Sequence, residues 1–358
     1  MYKPEYLKNF TFQIFEKMGC SKKDADIIAE VFVKAELRNL PSHGMSRIKN
    51  YFKLWEASRV NTRAKIKIVH ETPGTAVIDA DAAIGMIGAS KSMKLAIKKA
   101  KNAGTAWVAT RNSNHFGIGS YYATMALEND MIGVSMTNAN PTVAPANSVE
   151  RMLGTNPIAM AVPTGKEPAF VADFSTTPIT RGKLGVAARK GEKVQLGYVQ
   201  DSEGNPSNDP DILKNGGSML SLGGDLLHGG HKGYALGSMV DILSGVLSGA
   251  NFGHFVPPFL AYLPMPEAQT GKGMGHFFGA IRIDAFQSPK EFKERMDKWI
   301  TTFRNAKPVK GKKVLIPGDI ERQAEKRISK EGIYLLPSIQ IDLKEVANKL
   351  GVDFKMED

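Results

Sequence analysis

Cysteine is almost absent from this sequence, with Cys20 standing alone among 358 residues. A single cysteine excludes an internal disulfide and any metal site built from paired thiolates. It also fits a reducing, cytoplasmic setting. Long apolar runs are missing too. The most apolar stretch, 234–250, carries Asp241 and is short for a bilayer span, so no membrane helix is expected. Its Gly245-x-x-x-Gly249 spacing suits close packing inside a core. The charged, amphipathic N-terminus is not a secretory leader. No G-x-G-x-x-G occurs, which removes the fingerprint of the Rossmann fold. Neither a zinc-finger nor an RNA-binding signature is present, and there is no internal repeat. The formal charge is +11, from 47 Lys and Arg against 36 Asp and Glu. Its lysines are dispersed along helical stretches (Lys91, Lys94, Lys98), so a basic surface attracting anionic substrates is preferred. A non-catalytic nucleic-acid-binding protein is the distant alternative.

What is present is organised around 107–122, WVATRNSNHFGIGSYY. Residues 107–109 read as a buried strand, 111–114 as a polar turn, and 120–128 as a helix. Between them lies His115, on a strand-to-helix turn of the kind where α/β proteins place their chemistry. Helix-start amides nearby disfavour the imidazolium, which suits a base working near neutral pH.

Upstream, 6–17 has helical spacing, and Ser21 caps a second helix with Asp24 three residues on. A third helix is expected from Ser42. His43, Arg47 and Tyr51 are spaced by four and so share one side of it, where imidazole, guanidinium and phenol can grip a small carboxylate. Strands are expected at 66–69 and 75–79. A Gly85-Met-Ile-Gly88 turn then precedes a basic helix over 90–101, which is weak evidence for phosphate binding.

Further strands are expected over 131–136, within 153–164 and at 170–173. The last opens into DFSTTPITRGK, where Asp173 and the hydroxyls after it can hold ribose and phosphate oxygens or form an ordinary cap. Residues 201–217 read as a turn-rich surface segment. At 229–234 (GGHKGY), Lys232 between glycines at a helix start is placed to approach a phosphate. A strand at 279–283, an amphipathic helix at 289–304, the Gly318-Asp319-Ile320 turn and one or two tail helices complete the chain.

Six blocks in order, SHGMSRIKNY, RNSNHFGIGSYY, LGTNPIA, DFSTTPITRGK, HKGYALGSMVDILSGVLSGA and IPGD, resemble the type-2 malate/L-lactate dehydrogenase family. The resemblance spans nearly the whole chain. It implies a mixed-sheet, non-Rossmann α/β fold with an N-terminal helical, substrate-contacting segment (1–60). A cofactor-binding and catalytic core (61–330) and a helical tail (331–358) complete the implied organisation. It further implies a homodimer, no metal, and NAD or NADP, with NAD favoured. By motif, His115 is the acid/base residue, Arg47 and Tyr51 contact substrate, and His43 lines the pocket. Ala139, Asp173, Phe174, Ser175, Lys232, Gly318, Asp319 and Ile320 match cofactor-contacting positions. The implied activity is interconversion of a small 2-hydroxy acid and its 2-oxo acid. Malate and oxaloacetate come first, with lactate or sulfolactate possible substrates. A cyclic imino-acid reductase on the same fold is the near alternative. The chain departs from the family at the polar DFSTT, at His231 before Lys232, and at 145–148 (PANS), where a reshaped pocket wall is expected.

Overall fold

The N-terminal helices follow their apolar spacing. α1 (Pro4–Lys17) buries Leu7, Phe10 and Ile14. α2 (Lys22–Leu37) starts at Ser21, whose hydroxyl accepts the Asp24 N–H at 3.2 Å. The third element differs from the expected helix. Two short 3₁₀ turns, Pro41–His43 and Met45–Arg47, precede α3 (Ile48–Glu56). Gly44 lies extended between them (φ −95°, ψ −144°), and the buried Glu36 carboxylate accepts the Met45 N–H at 2.7 Å. A continuous helix would have bonded that amide to its own backbone. The break gives His43 and Arg47 a different direction from Tyr51.

The computed structural model describes residues 1–356. After α3 come β1 (Lys67–Glu71), β2 (Thr75–Asp79), α4 (Gly85–Ala103), β3 (Thr105–Ser113), α5 (Gly119–Thr124) and β4 (Met131–Thr137). Next are β5 (Ile158–Val162), β6 (Phe170–Phe174), α6 (Arg181–Lys190), and the short β7 (Val199–Gln200), β8 (Pro206–Ser207) and β9 (Ser218–Met219). α7 (Gly230–Asp241) runs into a π-helical turn, Ile242–Val246. β10 (Met274–Arg282), α8 (Pro289–Arg304), α9 (Asp319–Glu331) and α10 (Pro337–Leu350) complete the order. No described helix is long and apolar enough to cross a membrane.

Seven strands form one mixed sheet in the order β1-β2-β3-β10-β4-β5-β6, with β2 and β3 paired in parallel and the other neighbours antiparallel. β10 begins five residues earlier than the sequence pattern indicates, and Met274–Ala280 is buried throughout. Strands covered on both faces carry a continuous apolar run with no alternation to mark their start. β7, β8 and β9 make a small sheet over a separate core of Val143, Leu153, Ile179, Leu184, Val199, Ile212 and Met219. The segment 201–217, expected as a surface loop, is therefore partly a lobe, its two-residue strands too short to show a period. At the C-terminus Phe354 stacks on Tyr2, and Ile333 pairs with Tyr2, so α10 joins α1 and α3 in one layer.

The turn that carries His115 is built from β3. That strand continues through 111–113, the residues read as a polar turn, because β10 pairs with it to Ser113. A bulge falls there, with Asn112 left-handed at φ 54°. A bulge bends its strand and re-aims the side chains beyond it. On the other side, Gly85 packs on the turn itself: a Cβ there would lie 1.9 Å from the Asn114 oxygen and 2.3 Å from that of His115. This glycine is needed for close approach of backbone, and the phosphate reading of the Gly85–Gly88 turn is replaced by a packing one.

Gly85→Ala should therefore destabilise the protein by about 1–3 kcal/mol. Gly185→Ala in α6, whose added Cβ meets only Arg189 Nη1 at 3.7 Å, should be neutral or stabilising by about 0.5–1 kcal/mol. Denaturant titration of the two variants checks the contrast. Equal stability would show that the turn is not held by α4.

Candidate active site

His115 is fixed from behind by the N-terminal layer. The Tyr51 hydroxyl lies 2.7 Å from His115 Nδ1 and donates to the His115 carbonyl at 3.0 Å. Tyr51 is fully buried and meets Phe15, Phe32 and Phe259 edge-on. It stands behind the histidine, and the pocket is lined by other residues. Gly117 (φ +81°) comes two residues later, and a Cβ on it would sit 2.6 Å from Val31 of α2.

A second buried histidine, unnoticed in the sequence, supports the turn from the sheet. On β10, His276 Nδ1 lies 2.7 Å from the Thr137 hydroxyl and its Nε2 2.8 Å from that of Ser113. It thus ties the ends of β3 and β4 across the central strand. Phe116 stacks on its ring at 4.9 Å. Burial pushes His276 down to about 3, so it is neutral and serves structure.

His43 and Arg47 lie in front. The His43 ring is near-parallel to that of His115 at 5.6 Å, and its Nδ1 is 2.9 Å from the Ser42 hydroxyl. Arg47 Nε donates to the Ser42 carbonyl at 2.5 Å, and its guanidinium lies 5.9 Å from the Phe259 ring centre. These side chains, with Phe116, 137–140, 180–182 and Phe259, enclose about 120 Å³. Among the described residues, no Asp or Glu lines the cavity.

That composition sets the protonation states. Burial lowers His115 well below the ordinary imidazole value, and the His43, Arg47 and His276 charges add to the effect. His43 is pushed down to about 4 by burial and by Arg47. The sequence pointed to helix-start amides as the cause, but the Ser120 N–H of α5 is bonded to the Asp173 carboxylate at 2.7 Å. Desolvation and neighbouring cations keep the imidazole neutral instead.

The matched cofactor positions fall in three places. Ala139 is in the pocket wall, its N–H bonded to Asn156 Oδ1 at 3.0 Å, and Asn156 Nδ2 donates to Gly237 of α7 at 3.0 Å. Asn156 is thus a link that sequence reasoning missed. Asp173 is turned toward α5, where one carboxylate oxygen accepts the Ser120 N–H. The hydroxyl of Ser175 donates to the Thr177 carbonyl and that of Thr176 to Thr155, so the loop satisfies itself. Phe174 is 43% exposed on the edge strand β6. Against that edge packs the Gly318 turn, through the Val171 N–H to the Pro317 carbonyl at 3.1 Å. Asp319 is occupied by Arg304 and Arg322, while Ile320 is exposed. Lys232 is exposed in the first turn of α7, with no ion-pair partner among the described residues. The 145–148 segment lines a separate cavity of about 540 Å³ beside Leu226 and Leu227, and so does not shape the histidine pocket as expected.

Comparison with known proteins agrees with this architecture. The family model described as malate/L-lactate dehydrogenase matches residues 2–344. A malate dehydrogenase of Pyrococcus horikoshii is 41% identical over 97% of this chain and 94% of its own. The L-sulfolactate dehydrogenase of Methanocaldococcus jannaschii is 39% identical over 99% of this chain and 98% of its own. Its solved structure superposes with a TM-score of 0.89 over 98% of each chain, at 38% identity. A ureidoglycolate dehydrogenase (NAD(+)) of Escherichia coli is 29% identical over 90% of this chain and 88% of its own.

Glu36, beneath the Gly44 break, yields a pH prediction. Burial raises its carboxyl to about 7, against a partial lowering by the Met45 N–H. A carboxyl whose folded pKa is raised holds its proton in the folded state while the unfolded chain has lost it. Stability therefore falls as pH rises from about 4.5 to about 7. Glu36→Gln removes that charge, so its Tm relative to the parent should rise between pH 5 and pH 8. A difference that stays flat or falls would contradict the buried carboxylate.

Proposed function

The chain belongs to the malate/L-lactate dehydrogenase family of NAD(P)-dependent enzymes, and from that premise we propose that it interconverts malate and oxaloacetate, using NAD(H) in preference to NADP(H). The observation that carries the reading is a neutral His115 beside Arg47 in a small pocket without carboxylates. The bound nicotinamide supplies hydride transfer to and from the substrate carbon. The residues around it do the rest.

Tyr51 selects the tautomer. Its one proton goes to the His115 carbonyl, so it can only accept from Nδ1–H. The Gly117 N–H, at 3.3 Å from Nδ1, is the weaker competitor. Nε2 then keeps its lone pair and has no protein partner among the described residues. In oxidation Nε2 takes the hydroxyl proton, and the Tyr51 oxygen, still accepting from Nδ1–H, stabilises the imidazolium that forms. In reduction the same Nε2–H protonates the nascent alkoxide. Arg47, its Nε anchored on Ser42, offers its terminal N–H groups to the substrate carboxylate. His43 stays neutral and packs against His115, excluding water.

Ala139 is the natural seat for the reacting ring, at the junction of pocket and α7. Lys232 on α7, with exposed Phe174 and Ile320 along β6, fits the anionic and aromatic parts of an elongated dinucleotide. Homodimer assembly is supported by an exposed apolar stripe of Met239, Ile242, Val246 and Leu247 on α7 and its π turn. A cytoplasmic setting is supported by the single, buried, free Cys20.

The test is turnover of NADH or NADPH with a panel of 2-oxo acids and, as the imino-acid arm, pyrroline-2-carboxylate. Oxaloacetate reduction is expected, with His115→Ala lowering kcat at least about a hundredfold while cofactor binding persists. Because the free enzyme holds His115 neutral, kcat/KM for oxidation should be level from pH 6 to 8. For reduction, which starts from the imidazolium, it should fall about tenfold per pH unit. No turnover on any 2-oxo acid would overturn the reading, and the opposite pH slopes would remove His115 from its role.

A further inference from the structure

The pocket contains a second guanidinium that the motif does not account for. Arg181 opens α6 after its Thr180 cap and lines the same cavity as Arg47, His43 and His115. The residue after Arg181 abuts the first arginine, the Cβ position of Gly182 lying 3.7 Å from Arg47 Nη2, and both arginines line the one cavity. After burial, the Arg181 charge is among the influences on Arg47, lowering its affinity for its proton. Neither side chain has an ion-pair partner among the described residues, and none of the described acids lines the space they share. Arg151, which also feels Arg181, directs its donors to the Gly217 and Leu213 carbonyls and is not part of the wall. Two cations left unneutralised over one small cavity repel each other until an anion enters. A monocarboxylate neutralises one of them and leaves the other without a counter-charge in the shared space.

We propose that Arg181 determines substrate specificity by binding the distal anionic group of the substrate, so that the site selects dianionic 2-oxo acids over monoanionic ones. The inference rests on the 2-oxo acid reading above and adds the residue that distinguishes its members. Arg47 takes the carboxylate next to the reacting carbon. Arg181 takes the terminal oxygens, whether of a carboxylate or a sulfonate, since each offers at least two anionic oxygens to the guanidinium fork.

The experiment compares parent, Arg181→Met and Arg181→Lys on oxaloacetate, sulfopyruvate and 2-oxobutyrate. Arg181→Met should lower kcat/KM for the two dianions about a hundredfold or more, mainly through KM, and should raise that for 2-oxobutyrate or leave it undiminished, because the unpaired cation is gone. Arg181→Lys should recover part of the loss, and the two dianions separate a carboxylate site from a sulfonate site. Equal losses on dianion and monoanion, or a parent enzyme that prefers 2-oxobutyrate, would overturn the assignment. If the parent turns over no 2-oxo acid, it is the reaction reading that fails. Calorimetric titration with succinate and with butyrate then tests the anion site alone. Succinate binding that is strong in the parent and lost in Arg181→Met supports the site, and binding absent from the parent or unchanged in the variant refutes it.

Discussion

The contact on which the site depends is the hydrogen bond between the Tyr51 hydroxyl and His115 Nδ1. It joins a helix of the N-terminal layer to a turn on the main sheet, and it determines which ring nitrogen faces the pocket. The supporting structure holds that contact in register. Val31 presses on Gly117, α4 presses on the backbone of 114–115 through Gly85, and His276 pins the ends of β3 and β4. The N-terminal layer thus meets the histidine from two sides, with Tyr51 behind it and His43 and Arg47 in front.

The electrostatics of the pocket arise from what it omits. Two arginines and two histidines meet in a cavity that no described carboxylate lines, so burial and mutual repulsion both hold the imidazoles neutral. An incoming acid reverses that balance, because it supplies the negative charge beside which an imidazolium is stabilised. Substrate binding and proton uptake are in this sense coupled through one space. The nearby acids are committed elsewhere, Asp173 to the α5 amide and Glu36 to the Met45 amide.

Much of the fold was legible because its signals are local. Thr75–Asp79 and Pro289–Arg304 have the bounds that spacing and breakers indicate, and Ser21 caps α2 as its Asp24 partner implies. The errors fall where tertiary contacts override local pattern. A helix from Ser42 fails because Glu36, on the preceding helix, takes the amide after Gly44. β3 outruns its apolar stretch because β10 pairs with it, and that pairing is invisible in 111–113 themselves. In the site, His115, His43 and Arg47, singled out by residue type, come together around one cavity. Sequence cannot tell which way a side chain turns, so the bonds of Tyr51 to His115 and of Asp173 to the Ser120 amide were not legible in it. Arg181 lies within the DFSTTPITRGK block but nothing there marks it for the site, since it reaches the pocket through the path of the loop after β6.

The central claim is the protonation pattern of one ring, and nitrogen NMR of the imidazole reports it directly. With ¹⁵N-histidine in the free enzyme at pH 7, and His115 assigned by its loss in a His115→Gln sample, the account predicts a protonated Nδ1 and a bare Nε2. A protonated Nε2 with a bare Nδ1, or an imidazolium, would contradict it.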